Sequence, residues 1–121
     1  MSKDKKNKLL GVEQLSGGRR VAEYDVPGCE GYRVRVQSLT EWEQSRFEAA
    51  QLKRNGRPNK QAIESSRRKY ICLCIVNDDG AAYLNPDELR NTDAKLVNFL
   101  YRVCADHNGL NDDEQEAILG N

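Results

Sequence analysis

The side chains with the greatest potential for chemistry are three cysteines and the single histidine, which fall in two pairs. Cys72 and Cys74 are two residues apart, and Cys104 and His107 are three apart. Structural zinc takes four such ligands in a tetrahedron. On a helix, however, residues two apart point about 160° away from each other. We therefore favour buried thiols that pack as small apolar groups, and a Cys₃His zinc site is the alternative.

Other catalytic or cofactor-binding arrangements find little support in the sequence. Cys104 and His107 are residue types that can act as a nucleophile and its general base, but no third residue that would orient the histidine is evident. The segment Asp78-Asp79-Gly80 lacks the alternating ligands and distant glutamate of a calcium loop, and indicates a turn instead. The chain contains no phosphate-binding glycine motif and no zinc-protease motif. These observations predict a protein that is not an enzyme and needs no cofactor.

Composition indicates a soluble chain with charge concentrated at its ends. The 121 residues are 38% hydrophobic and 31% charged, with 19 basic and 19 acidic side chains. The first twenty residues are basic, and the chain is acidic from Asp106 onward. No apolar run suits a signal peptide or a bilayer crossing, so we expect a cytoplasmic protein with reduced thiols and no membrane partner. The basic start offers contacts to phosphate but lacks interleaved aromatic residues, so nucleic acid is not the favoured partner.

The pattern predicts a flexible basic arm at 1–17 and a single α+β domain, mostly helical, at 18–121. Residues 19–37 alternate as a β-hairpin with a loop from Pro27 to Gly31. That loop length places Tyr24 opposite Val34 on one face. On the other face it places acidic side chains opposite arginines. Because one register satisfies both faces, we expect it to be fixed.

The hairpin should pack on a bundle of about four helices. Thr40 and Glu43 form a capping box for a helix to about Lys53, with Ser38 and Glu41 as a second option. A second helix starts near Asn59 and continues through the apolar run 70–76, for which a strand is the alternative. Further helices are predicted after Asn85-Pro86, from 93 to 107, and in the acidic tail. The stripe expected on the 93–107 helix comprises Leu96, Phe99, Leu100, Val103, and Cys104 or His107.

The order of these parts resembles a known family. A β-rich start is followed by the helix entry Leu39-Thr40-Glu41-Trp42-Glu43. An arginine-rich helix comes next and becomes apolar toward its end, before the turn Asn77-Asp78-Asp79-Gly80 and the pair Tyr83-Leu84. Asn85-Pro86-Asp87-Glu88-Leu89, a long helix, Asn108-Gly109-Leu110 and an acidic tail follow. This layout, over roughly 30–121, is similar to the tail assembly chaperones of long-tailed bacteriophages and prophages. The cysteine-rich run and the basic arm are not features expected of that family.

The resemblance implies a non-enzymatic role in the host cytoplasm. Such chaperones hold the long helical tape-measure protein, help to recruit tail-tube subunits, and commonly form homo-oligomers. A holding surface needs an exposed apolar stripe bounded by charge. The first helix offers Trp42, Phe47 and Ala50, with Arg46 beside them, and these four are the predicted partner-binding residues. A small zinc- or nucleic-acid-binding regulatory protein is the alternative function.

Overall fold

The computed structural model describes residues 9–15, 18–52 and 55–110. Within these ranges five helices and three strands follow one another along the chain. In chain order they are α1 (Val12–Leu15), β1 (Val21–Asp25), β2 (Arg33–Gln37), α2 (Glu41–Ala49), α3 (Lys60–Cys74), β3 (Ile75–Val76), α4 (Pro86–Arg90) and α5 (Ala94–His107). The predicted fold class, α+β and mostly helical with an N-terminal hairpin, is confirmed. The predicted acidic helix after 110 and most of the predicted basic arm lie outside the described residues.

The hairpin has the predicted register. Tyr24 pairs with Val34, and Asp25 pairs with Arg33. The loop is closed by the Val26 amide, which donates to the Tyr32 carbonyl at 3.2 Å. Two glycines of this loop, Gly28 and Gly31, have φ near +80° to +90°, a conformation that side chains with a Cβ rarely adopt. The turn sequence and the two-faced strand pattern therefore act together to fix the pairing.

A third strand extends this hairpin to an antiparallel sheet in the order β1-β2-β3. The prediction of helix through Val76 is wrong for its last two residues. Helix α3 ends at Cys74, and Ile75 and Val76 pair with Val36 and Arg35. Both are β-branched, so extended backbone suits them, and β2 supplies the hydrogen-bond partners that the helix would otherwise provide. Val76 also forms an isolated antiparallel bridge with Ala82, beyond the 77–80 turn.

Helix α2 starts where predicted and ends earlier than predicted. Thr40 and Glu43 form a capping box, whereas the Ser38 hydroxyl accepts a hydrogen bond from the Arg20 amide instead. The helix stops at Ala49 and does not reach Lys53. The reason is a chain reversal, in which the Asn59 amide donates to the Gln51 carbonyl at 2.8 Å.

Caps set the ends of the other helices as the sequence predicts. Asn59 caps α3, and Asn85 caps α4 in a capping box with Glu88. Helix α5 begins after Asp93 and ends in a Schellman motif, in which the Leu110 amide donates to the Ala105 carbonyl at 3.0 Å.

The core lies between α3, α5 and the inner face of the sheet, with Phe47 of α2 at its border. The buried stripe of α5 is rotated from the predicted one by about one position. It consists of Val97, Leu100, Tyr101, Cys104 and Ala105, while Leu96, Phe99 and Val103 lie partly buried beside it. Tyr101 accounts for the rotation, because its ring packs 5.8 Å from that of Tyr70 and is almost fully buried.

Candidate functional site

The outer surface of α2 exposes an aromatic side chain that the core does not use. Trp42, in the first turn, is 66% exposed. The Arg46 guanidinium lies one turn later, 4.8 Å from the centroid of the indole ring. This cation–π contact restrains the indole, most of which remains exposed to solvent. Trp42 and Arg46 therefore form a preordered amphipathic patch, here called the Trp42 patch.

The structure divides the four predicted partner-binding residues into two groups. Trp42, Arg46 and Ala50 are exposed. Phe47 is only 7% exposed, and its ring lies 5.0 Å from that of Tyr70. The expectation that Phe47 belongs to the exposed stripe is therefore wrong, because its ring anchors α2 to α3. The sequence pattern did not separate Trp42 from Phe47, since both are aromatic and lie among polar residues.

The start of α2 is also tied electrostatically to the start of the hairpin. Arg19 donates two hydrogen bonds to the Glu43 carboxylate, at 2.5 and 3.0 Å. The same carboxylate accepts the Thr40 amide at 3.0 Å. The hydrogen bonds from Arg19 are the main reason that the pKa of Glu43 lies below its ordinary value, and they outweigh partial burial. Arg19, which sequence reasoning left unassigned, thus helps to fix the first turn that carries Trp42.

A cleft of about 340 Å³ runs along the flank of α2 toward the end of α5. Its lining is mostly polar and includes Gln44, Ser45 and Glu48 from α2 and Asn108 from the α5 cap. Polar walls of this kind do not suit a buried apolar ligand. Neither Trp42 nor Arg46 lines this cleft, so the Trp42 patch is a separate feature of the α2 surface.

The buried thiols form a packed cluster between α3 and α5. Cys74 and Cys104 are fully buried and share a hydrogen bond, which, together with desolvation, raises the pKa of Cys104. Burial raises the pKa of the half-buried Cys72 to about 11. Thiols with raised pKa values are poor nucleophiles and poor metal ligands at neutral pH. The residues are therefore arranged for packing.

His107 is occupied by two hydrogen bonds between α5 and the hairpin. Its Nε2 lies 2.9 Å from the Arg20 carbonyl oxygen, and its Nδ1 lies 3.0 Å from the Tyr24 hydroxyl. Because a carbonyl only accepts, Nε2 carries a hydrogen, and in the neutral ring Nδ1 accepts from Tyr24. Neither nitrogen is directed at the thiols, and the described ranges contain no cluster of three or more metal-ligating side chains.

Asn108 is a further connecting residue that the sequence did not reveal. Its side-chain oxygen accepts the Leu39 amide at 2.7 Å, and its nitrogen donates to the Cys104 carbonyl at 3.0 Å. The residue therefore joins the end of α5 to the segment that leads into α2. Asn is common after helices, so the pattern alone gave no signal of this long-range contact.

A second exposed apolar group lies at the start of the described chain. The one-turn helix α1 and the two leucines that precede it expose most of their apolar side chains, with values of 69–95% for Leu9, Leu10, Val12 and Leu15. The sequence analysis predicts a flexible arm over 1–17, whereas the structure has one helical turn at Val12–Leu15 within it. Its basic neighbours from Lys3 to Lys8 lie outside the described residues.

Comparison with protein-family models, with curated proteins and with solved structures found no match to this chain. None of the helices in the described ranges has the length and apolar character that crossing a bilayer requires.

Proposed function

We propose that this protein is a non-enzymatic tail assembly chaperone of a long-tailed phage or prophage, acting in the host cytoplasm. In this role it binds the tape-measure protein and helps to recruit tail-tube subunits. The observation that carries the proposal is the Trp42 patch, an exposed indole in contact with Arg46 on a helix that contributes one buried side chain to the core. The sequence layout described above supports the same role.

The chemistry of the patch suits an amphipathic helix. Tryptophan and arginine are the residues that most often dominate protein–protein binding energy. The exposed indole face takes apolar side chains, while Arg46 and the acidic side chains Glu41 and Glu48 offer charge at its border. A tape-measure protein is long, helical and prone to aggregation, so covering its apolar stripe would keep it soluble.

The proposal is tested by co-expression with a tape-measure protein from the same genome. We expect the wild-type chain to increase the soluble fraction of that protein and to co-elute with it on size exclusion. Trp42→Ala should abolish both effects. Tyr83→Ala is the matched control, because Tyr83 is also an exposed aromatic residue, at 54%, and lies outside α2. No gain in solubility and no complex with the wild-type chain would refute the function. Equal loss in both variants would refute the assignment to the Trp42 patch.

The same surface also offers a site for self-association. Homo-oligomers are expected from the resemblance, and a second copy would compete with the tape-measure protein for the indole. Sedimentation of wild type and Trp42→Ala without a partner distinguishes a shared surface from a separate one. We expect any wild-type oligomer to dissociate in the variant.

A further inference from the structure

Strand β1 forms one border of the sheet, and half of its backbone groups face away from β2. In an antiparallel pair, hydrogen-bonded and non-hydrogen-bonded residues alternate. Bonds from Val26 to Tyr32, and from Ser38 to the Arg20 carbonyl, fix this alternation at both ends of the strand. Ala22 and Tyr24 therefore bond to β2, whereas the amides and carbonyls of Val21, Glu23 and Asp25 point outward.

This edge is accessible, and its protection against pairing is limited to the two acidic side chains Glu23 and Asp25. Within the described ranges no strand lies outside β1, and the residues Val21, Glu23 and Asp25 are all exposed. Natural sheets often block such edges with lysine, proline or a bulge. The sequence of β1, Val-Ala-Glu-Tyr-Asp, has neither lysine nor proline, and it pairs with β2 without a break in register.

Charge on the edge selects its occupant. Arg33 Nε lies 3.2 Å from Asp25, and Arg35 Nη2 lies 2.9 Å from Glu23. The described ion pairs of both carboxylates come from β2, with a second one of Glu23 to Arg33 at 3.6 Å, and the side chains of Glu23 and Asp25 remain 40% and 88% exposed. Cross-strand pairs of opposite charge are stabilising, and like charges are destabilising. Pairing of β1 with β1 of a second copy would oppose acidic side chains and is therefore disfavoured.

We propose that the outer edge of β1 binds an extended segment of a partner protein that carries lysine or arginine at alternate positions. The segment adds a fourth strand by backbone hydrogen bonds. Its basic side chains lie against Glu23 and Asp25, and its intervening apolar side chains extend the face formed by Ala22 and Tyr24. This interface is separate from α2 and does not depend on the proposed chaperone function.

The test uses the full chain and a fluorescently labelled peptide, Thr-Lys-Val-Lys-Val-Lys-Thr, with a glutamate-for-lysine peptide as reference. Val21→Pro removes an outward amide and leaves the β1–β2 bonds intact, while Val21→Thr keeps the amide and is the matched control. By anisotropy we expect saturable binding of the lysine peptide to wild type and to Val21→Thr. Val21→Pro should bind about tenfold more weakly, as expected for loss of one backbone bond and the steric conflict of the ring.

A charge reversal keeps the test decisive if the proline variant folds poorly. The Asp25 side chain is 88% exposed, so Asp25→Lys should keep the fold despite the like-charge pair that it forms with Arg33. It should bind the lysine peptide less well and the glutamate peptide better. When the lysine peptide binds, amide exchange measured by NMR should show new protection at Val21, Glu23 and Asp25. The protection of the Tyr24 amide, which already bonds to β2, should not change.

Several results would overturn the proposal. These are the absence of saturable binding to wild type, equal binding by Val21→Pro and Val21→Thr when both are folded, or protection located away from β1. A wild-type dimer that Val21→Pro dissociates would assign the edge to a second copy instead, and would equally overturn it.

Discussion

Helix α5 buries Val97, Leu100, Tyr101, Cys104 and Ala105 among its 14 residues, whereas α2 buries only Phe47 among its 9. The α5 stripe follows a helical repeat and is fully explained by contact with α3 and the sheet. Helix α2 is attached by one ring, by its cap and by the Arg19–Glu43 ion pair. Its remaining aromatic residue, Trp42, is 66% exposed and contacts Arg46 of the same helix. The difference separates a helix whose apolar side chains are buried from one that leaves an aromatic ring at the surface.

The largest effect should come from truncating the packed helix. Leu100 is 6% exposed, so Leu100→Ala should lower the free energy of unfolding by about 2–5 kcal/mol through lost burial and a cavity. Urea denaturation measures this change. Leu52→Ala is the matched control, because Leu52 is 50% exposed, and surface substitutions usually stay within about 0.5 kcal/mol. Equal costs for the two variants would contradict the contrast between the helices.

An intermediate effect is expected where α2 is attached electrostatically. Because the folded pKa of Glu43 lies below the ordinary value of 4.5, its ion pair stabilises the protein above that pH. The contribution is lost as pH falls through the folded pKa. Glu43→Gln should therefore lower stability near neutral pH, and its difference from wild type should narrow in acid. Denaturation midpoints across pH measure this, with Glu48→Gln as a control that leaves Arg19 untouched. If the stability difference between Glu43→Gln and wild type instead widened in acid, the Arg19–Glu43 ion pair would not be its cause.

The smallest stability effect should be at Trp42. Trp42→Ala removes an exposed indole and its contact with Arg46, which contributes about 0.5–1 kcal/mol at exposed sites. Thermal or urea unfolding measures the change. A cost comparable to that of Leu100→Ala would place Trp42 among the packing residues and remove the basis for the Trp42 patch.

Features encoded by neighbouring residues could be predicted from the sequence. The hairpin register followed from its loop and its two faces. The caps at Thr40 and Asn85 followed from side chains that bond to amides within three residues, and the helix starts predicted near 59 and 93 lie where Asn59 and Asp93 cap α3 and α5. Such contacts are local, so the pattern specifies them without knowledge of the rest of the fold.

Features that depend on distant residues could not be predicted in the same way. The strand at Ile75–Val76 exists because β2 lies alongside it, and α2 ends early because the chain turns back to Asn59. The choice between Phe47 and Trp42 as the buried ring depends on the position of Tyr70. The links made by His107 and Asn108 likewise join segments far apart in sequence.

The direct junction of α3 and β3 has a consequence for the order of folding. Pairing of Ile75 with Val36 closes a loop of about 40 residues, whereas pairing within the hairpin closes a loop of only a few residues. Contacts between distant residues slow the search for the native state. We therefore expect the hairpin and the capped helices to form before β3 pairs with β2.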